Sequence, residues 1–156
     1  MARSFTYHIV AHAGLALSID STHSKIIGAS QDPSDPLQRW ELIFYPYNPA
    51  TQQLVQGTII YNRALDLYCA PQSVEKGAPL LPLSLPTLAE GFTTTNTWQV
   101  MPQSYAIRTP SNTGLNVNLN NGGPGPWPPG TPVTLWSWGG GAPNETWVAS
   151  LLEMPG

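Results

Sequence analysis

One strand-like segment near the C-terminus, from Val133 to Trp138, holds the residues best suited to bind a ligand. Its alternation places Val133 and Leu135 on one face of a strand, and Thr134, Trp136 and Trp138 on the other. If the aliphatic face points inward, two indoles point outward, and exposed aromatic surface usually contacts a ligand or a partner. An indole suits the apolar C–H face of a sugar ring, whose hydroxyls then need hydrogen-bond donors and acceptors nearby.

An alternative for Trp136 and Trp138 is local packing. The segment 120–130 is rich in Asn, Gly and Pro, which predicts a long loop, and it brings a further indole, Trp127, close to this strand. The two outward tryptophans would then pack under the loop or contact a protein. Both interpretations stay open at the level of sequence.

Patterns typical of enzymes and metal sites are weak. His8 and His12 have the spacing of a helical metal pair, but they fall in a strand pattern without a Glu or Cys ligand, so we expect surface histidines. Cys69 lacks a nucleophile signature and is expected to be a half-buried, inert thiol. The glycine-rich loops at 122–125 and 139–141 lack the Lys-Ser/Thr pair and the helix of a phosphate-binding loop. We therefore expect a non-catalytic protein with no cofactor and no metal.

Composition and charge narrow the class of partner. The chain has 156 residues, which suits one domain with a hydrophobic core, and only 10% are charged. The net charge is −3 and no run of Lys or Arg occurs, so we expect no nucleic-acid partner. No apolar stretch is long enough for membrane insertion. Because no export signal is visible and Cys69 is the single cysteine, we expect a cytoplasmic protein, with unconventional release as the alternative.

Three similar units follow one another, at about 1–50, 51–103 and 104–156. Each contains a short Leu-centred motif, and the leucines, 50 residues apart, are Leu15, Leu65 and Leu115. Each unit also closes on a tryptophan; these are Trp40, Trp98 and Trp147. Because a buried indole removes about 150–250 Å² from water, we expect these three tryptophans to anchor a shared core.

The units have the pattern of short β-strands. Apolar residues alternate with polar or small ones over four to six positions, and Gly or Pro interrupts nearly every gap. No convincing helix of ten or more residues is predicted. Three small units that cannot each bury an apolar side must share one core, and a closed threefold arrangement does so without long open edges. The sequence therefore predicts a single all-β domain, a β-trefoil.

Short motifs around the tryptophans suggest a family. The matching segments of the third unit lie at 114–117, 130–136 and 144–147. They resemble the ricin B-chain type (R-type) lectin repeat, whose signature ends in Gln-x-Trp (QxW). Only the first unit keeps the glutamine, as Gln38, whereas the second has Asn96 and the third Glu145. The resemblance covers all three units, and cytosolic fungal ricin B-like lectins without disulfides are similar to this chain.

The resemblance implies a carbohydrate site in the third unit. It assigns the stacking ring to Trp136 and the polar partners to Asn116, where the family usually has Asp, and to Asn144. Because an amide replaces a carboxylate at 116, we expect a sugar specificity different from that of galactose-binding relatives. Asn118, Thr134 and Trp138 complete the predicted carbohydrate-binding set.

The other two units are weaker candidates. In the second, Asp66 is placed at the family's acidic position and Asn96 at the signature position, but Leu83 stands where the stacking ring should be. In the first, Ala16 replaces the polar residue and 25–28 offers no aromatic. One working site per chain is expected, with Asp66 and Asn96 as a possible second.

The sequence thus predicts a non-catalytic lectin for glycans or glycoproteins. Single sites of this kind are weak, so tight binding would need a second site or a homodimer. The alternative is a β-trefoil protease inhibitor of the mycocypin type, or a protein-binding module, that acts through long loops. The candidate loops are 46–56 and 84–96.

Overall fold

The computed structural model describes residues 3–101 and 104–155. In this part of the chain the elements are twelve β-strands and one 3-10 helix, Pro36–Gln38, with no helix long and apolar enough to cross a membrane. The strands are β1 (Thr6–Ala11), β2 (Ala16–Ile19), β3 (Ile26–Ala29), β4 (Trp40–Asn48), β5 (Gln53–Asn62), β6 (Leu67–Pro71), β7 (Leu80–Ser84), β8 (Gln99–Met101), β9 (Ala106–Thr109), β10 (Asn112–Leu119), β11 (Thr131–Ser137) and β12 (Trp147–Glu153). The predicted all-β class is confirmed.

The strands form three successive groups of four: β1 to β4, β5 to β8 and β9 to β12. In each group the second and third strands form an antiparallel hairpin, namely β2–β3, β6–β7 and β10–β11. The strand order is β7-β6-β5-β4-β1-β2-β3-β11-β10-β9-β8, and β12 pairs with β1. The groups therefore repeat one pattern and join through β4–β5, β8–β9 and β12–β1, and β3–β11 is a further pairing between the first and third groups.

The three closing tryptophans anchor the core, as predicted. Trp40 and Trp98 are fully buried and Trp147 is nearly so. Each indole Nε1 donates a hydrogen bond to a backbone carbonyl on the second strand of its own group, which satisfies the one polar atom of the ring. The acceptors are the carbonyls of Leu17 (2.8 Å), Cys69 (2.8 Å) and Val117 (3.0 Å).

These bonds identify equivalent residues and correct one sequence assignment. Because Cys69 corresponds to Val117, the counterpart of Asn116 is Tyr68. Asp66 lies two positions earlier, in the turn before β6, with a left-handed φ of 55°. The equivalent residues Leu17, Cys69 and Val117 are separated by 52 and then 48 positions, so a constant 50-residue spacing selects the wrong residue in the second group.

Two further expectations were wrong about burial. His8 is buried, not on the surface, and its Nε2 forms a 2.9 Å hydrogen bond with the side-chain oxygen of Gln38, which gives the buried ring a polar partner. Cys69 is fully buried, and burial raises the pKa of its thiol, so the group stays protonated and unreactive. His12 is exposed, as expected.

The first predicted long loop is largely a hairpin. β4 runs to Asn48 and β5 begins at Gln53, so only the turn at 49–52 remains of loop 46–56. The second segment, 84–96, lies between β7 and β8. Asn48 Nδ2 donates to the carbonyls of Glu90 and Phe92, each at 2.9 Å. These bonds attach the end of the hairpin to segment 84–96.

Candidate functional site

Pairing of β10 with β11 brings four of the predicted site residues onto one face. Asn116 lies opposite Trp136, and Asn118 lies opposite Thr134. Directly opposed residues of antiparallel strands project to the same side, so these four side chains form one cluster. The inward residues of β11 are buried, as the alternation in the sequence predicts.

Trp136 is exposed at this face. Its residue surface is 41% accessible, whereas Trp127 is partly buried and packs against the main core. On the far side of β11, a Cβ added at Gly77 would lie 3.7 Å from the indole, so the glycine lies beside the ring. Trp136 is therefore not buried beneath loop 120–130, and part of its surface faces solvent.

A cavity of about 260 Å³ lies beside the Trp136 ring. Three asparagines line it, and one of them, Asn120, was not among the residues predicted from sequence. The signal for Asn120 was its place at the start of the Asn-Asn-Gly-Gly turn. The lining residues are Asn118, Leu119, Asn120, Gly122, Gly123, Trp136 and Asn144. The cavity thus combines an aromatic wall with several amides.

Hydrogen bonds hold two of these amides in place. Asn144 Nδ2 donates to the carbonyl of Leu119 at 3.0 Å and to Asn118 Oδ1 at 3.3 Å. Asn118 Nδ2 donates to the carbonyl of Asn116 at 3.1 Å. Within the described residues Asn144 Oδ1 accepts no hydrogen bond, so it is an acceptor that a ligand hydroxyl can use.

Asn120 is held in the same way. Its Nδ2 donates to Thr134 Oγ1 at 3.1 Å, and its Oδ1 accepts from the amide of Gly122 at 2.9 Å. These bonds connect β11 to the turn that closes one end of the cavity. The polar wall is therefore preorganised by contacts on both sides.

Asn116 is less accessible than the sequence predicts. Its side chain is fully buried, and neither amide atom has a hydrogen-bond partner in the part of the chain that the structure describes. It lies beneath the face and is absent from the cavity lining, so a sugar hydroxyl in the cavity does not reach it in this conformation. Direct contact by Asn116 was expected, and the structure does not bring that contact about.

Trp138 also departs from the expected arrangement. The guanidinium of Arg108 lies over its ring, and the Arg108 Cζ is 4.9 Å from the ring centroid. It lines a separate, open cavity of about 430 Å³ together with His12 and Tyr105. Trp136 lies on β11 whereas Trp138 follows its last residue, and the two rings border different cavities.

The signature position of each repeat caps a loop. The carboxylate of Glu145, which is buried, accepts hydrogen bonds from the backbone amides of Gly139 (2.9 Å), Gly141 (2.8 Å) and Ala142 (3.0 Å). The equivalent side-chain oxygens accept from Asp32 N at Gln38 (2.9 Å) and from Thr93 N at Asn96 (2.7 Å). Because the position needs only an acceptor, Gln, Asn and Glu can all occupy it.

The possible second site does not assemble. Asp66 accepts a 2.6 Å hydrogen bond from the Tyr61 hydroxyl, and burial together with this bond raises the pKa of Tyr61 to about 12. Asn96 Oδ1 accepts a hydrogen bond from the backbone amide of Thr93, and Asn96 Nδ2 donates to the Tyr68 hydroxyl at 3.4 Å. Both predicted residues of the second repeat therefore have hydrogen-bond partners in their own surroundings.

Lys76 belongs to the third-repeat site although it comes from the second repeat. Its Nζ lies 4.5 Å from the Trp136 ring centroid. The backbone positions it, because Gly77 N donates to the carbonyl of Leu135 (2.7 Å) and Leu135 N to that of Ala78 (2.9 Å). Sequence reasoning missed Lys76 because it considered each repeat separately.

The described residues contain no group of three or more His, Cys, Asp or Glu side chains that could hold a metal ion. The chemistry of the Trp136 face is that of an indole, neutral amides, a hydroxyl and one ammonium group.

Comparison with known proteins identifies the fold. No family model and no curated protein sequence matches the chain. Among solved structures, the designed threefold-symmetric protein ThreeFoil is similar with a TM-score of 0.72 and 19% identity over 94% of this chain and 99% of its own. The ricin B-like lectin of Macrolepiota procera, solved with lactose, has a TM-score of 0.70 and 21% identity over 96% and 97%. The C-terminal half of the earthworm R-type lectin, solved with GalNAc, has a TM-score of 0.62 and 17% identity over 95% and 99%. The predicted architecture is confirmed: the chain has the β-trefoil fold found in ricin B-like lectins.

Proposed function

We propose that the protein is a non-catalytic lectin that binds one glycan per chain against Trp136. The observation that carries the proposal is the exposed indole beside a cavity lined by three asparagines. The apolar face of a pyranose can stack on the indole, while the amides exchange hydrogen bonds with its hydroxyls. Two similar structures were solved with lactose and with GalNAc, which supports a sugar as the ligand class.

The other repeats support a count of one site. Strand pairing gives the counterparts of Asn116 and Trp136 in each repeat, and neither pair includes an exposed aromatic ring. The counterparts are Ala16 and Ala29 in the first repeat, and Tyr68 and Leu83 in the second. A single shallow site gains only about 0.5–1.5 kcal/mol per hydrogen bond and must offset the cost of ordering the ligand. Tight binding to glycoproteins would then require a homodimer.

Replacement of Trp136 tests the proposal. We expect Trp136→Ala to abolish binding on a glycan array and to shift the melting temperature little, because the ring is exposed. Trp138→Ala is the matched control, since it removes the same kind of side chain two residues further along the chain, where the ring borders another cavity. Glycan binding that survives Trp136→Ala, or that is lost equally in both variants, would contradict the assignment.

The protein-binding alternative is favoured by the β4–β5 hairpin. Phe44 and Leu54 are 64% and 72% exposed, and Tyr47 lies directly opposite Leu54. Exposed apolar residues of this size often mark a contact with another protein. Titration of papain-like and legumain-like proteases distinguishes the two functions: stoichiometric inhibition that is lost in a Phe44→Ser/Leu54→Ser variant, with a blank glycan array, would favour the inhibitor.

A further inference from the structure

Two of the six basic residues of the chain lie over the rings of Trp136 and Trp138. The ammonium of Lys76 is 4.5 Å from the Trp136 centroid, and the guanidinium carbon of Arg108 is 4.9 Å from that of Trp138. The chain as a whole carries a net charge of −3. Lys76 thus places a positive charge at the Trp136 site of a protein whose net charge is negative.

The cavity beside Trp136 has no acidic lining residue, and the exposed Glu75 directly precedes Lys76 in the chain. The cavity is lined by amides, glycines, a leucine and an indole, and the family's acidic position holds the neutral Asn116. Glu145, the acidic residue of this loop, is buried and bonded to backbone amides. In the part of the chain that the structure describes, neither Lys76 nor its neighbour Glu75 forms an ion pair. The charge of Lys76 is therefore not neutralised by a salt bridge there.

Lys76 is placed to respond to a ligand. Its backbone is held beside β11 by the hydrogen bonds between Gly77, Ala78 and Leu135, whereas its side chain is exposed. A cation–π contact at an exposed position is weak, and the lysine arm has several rotatable bonds. An anionic substituent that projects past the indole edge can therefore attract the ammonium away from the ring at little cost. A neutral sugar offers no such compensation.

We propose that the Trp136 site selects saccharides that carry an anionic group, and that Lys76 is the residue that determines this selectivity. The anionic group is the carboxylate of a sialic or uronic acid, or a sulfate ester. The proposal rests on the proposed function and adds to it the class of ligand. The amide at position 116 is consistent with it, because a carboxylate there would repel an anionic ligand.

The experiment compares matched glycans by titration calorimetry at low salt. Each neutral oligosaccharide is paired with its sialylated, uronic-acid and sulfated forms, so that the arms separate carboxylate from sulfate. We expect the wild type to bind at least one acidic form about fivefold more tightly than the neutral one, and Lys76→Gln to remove the difference. Lys76→Arg should keep the preference. Salt at about 1 M, where the screening length is about 3 Å, should abolish it.

Two control variants separate the possible failures. Lys25→Gln removes the same charge from an exposed position in the first repeat and should leave the preference intact. If the wild type binds neutral and acidic forms equally and Trp136→Ala binds neither, the lectin assignment stands and the selectivity proposal is overturned. Persistence of the acidic preference in Lys76→Gln would likewise overturn the assignment to Lys76. A wild type that binds no glycan at all would overturn both proposals.

Discussion

The second and third repeats place different side chains on the same backbone. Asn116 pairs with Trp136 across β10 and β11, and Tyr68 pairs with Leu83 at the equivalent position of β6 and β7. The hydrogen bonds from Trp98 to the Cys69 carbonyl and from Trp147 to the Val117 carbonyl show that these positions of the two repeats are equivalent. The backbone therefore supplies three similar faces, and the side chains decide what each face does.

In the second repeat this face contributes to stability. The Tyr68 ring packs edge-on against Phe92 at 5.2 Å, and Phe92 packs against Tyr45 at 5.3 Å. These rings belong to a second hydrophobic cluster outside the main core. In the third repeat the same position is polar and the paired ring is exposed. Apolar side chains thus fill this face in the second repeat, whereas in the third repeat a cavity with polar lining residues is present.

The largest expected effect tests the shared frame. Trp98→Ala removes a fully buried indole and its hydrogen bond to Cys69, so we expect a loss of about 3–5 kcal/mol in the free energy of unfolding. The measurement is urea denaturation, with Trp136→Ala as the exposed counterpart that should cost less than about 1 kcal/mol. Equal losses for the two variants would show that Trp136 also supports the core. The distinction between the buried core tryptophans and the exposed Trp136 would then be wrong.

The next effect tests whether the signature position is a loop cap. Glu145→Ala leaves three backbone amides of the 139–142 loop without their acceptor, and we expect a loss of about 2–3 kcal/mol. Asn96→Ala in the second repeat removes fewer such bonds and should cost about 1 kcal/mol. Chemical denaturation of both variants checks the order. If Glu145→Ala were neutral, or cost less than Asn96→Ala, the capping explanation for the varied signature would be wrong.

Much of the fold could be predicted from sequence because its signals are local. The tryptophan spacing, the period-two alternation and the frequent Gly and Pro are visible within one repeat. Position 66 was misassigned because equivalent residues of successive repeats are not evenly spaced along the chain. Lys76 was missed, and Trp138 was placed with the wrong neighbours, since both depend on side chains from other strands. Such contacts depend on tertiary packing, which cannot be predicted from the alternation of residues in a single strand.

The buried amide of Asn116 provides the most sensitive test of the third-repeat face. A buried donor and acceptor without partners are costly, whereas an apolar side chain avoids that cost. Valine also suits a strand. We therefore expect Asn116→Val to increase the free energy of unfolding by about 1 kcal/mol. Glycan affinity should change less than twofold, because the side chain does not line the cavity.

Asn118→Val is the matched control, because Asn118 lies on the same strand and is also buried, but both ends of its amide form hydrogen bonds. It should have the opposite sign, a loss of about 1 kcal/mol, and it should weaken glycan binding because Asn118 lines the cavity. Thermal melts and calorimetric titrations of both variants give the comparison. Loss of glycan binding in a more stable Asn116→Val variant would contradict this prediction. It would mean that the Asn116 amide contacts the ligand, and that Trp136 or Lys76 moves when the glycan binds.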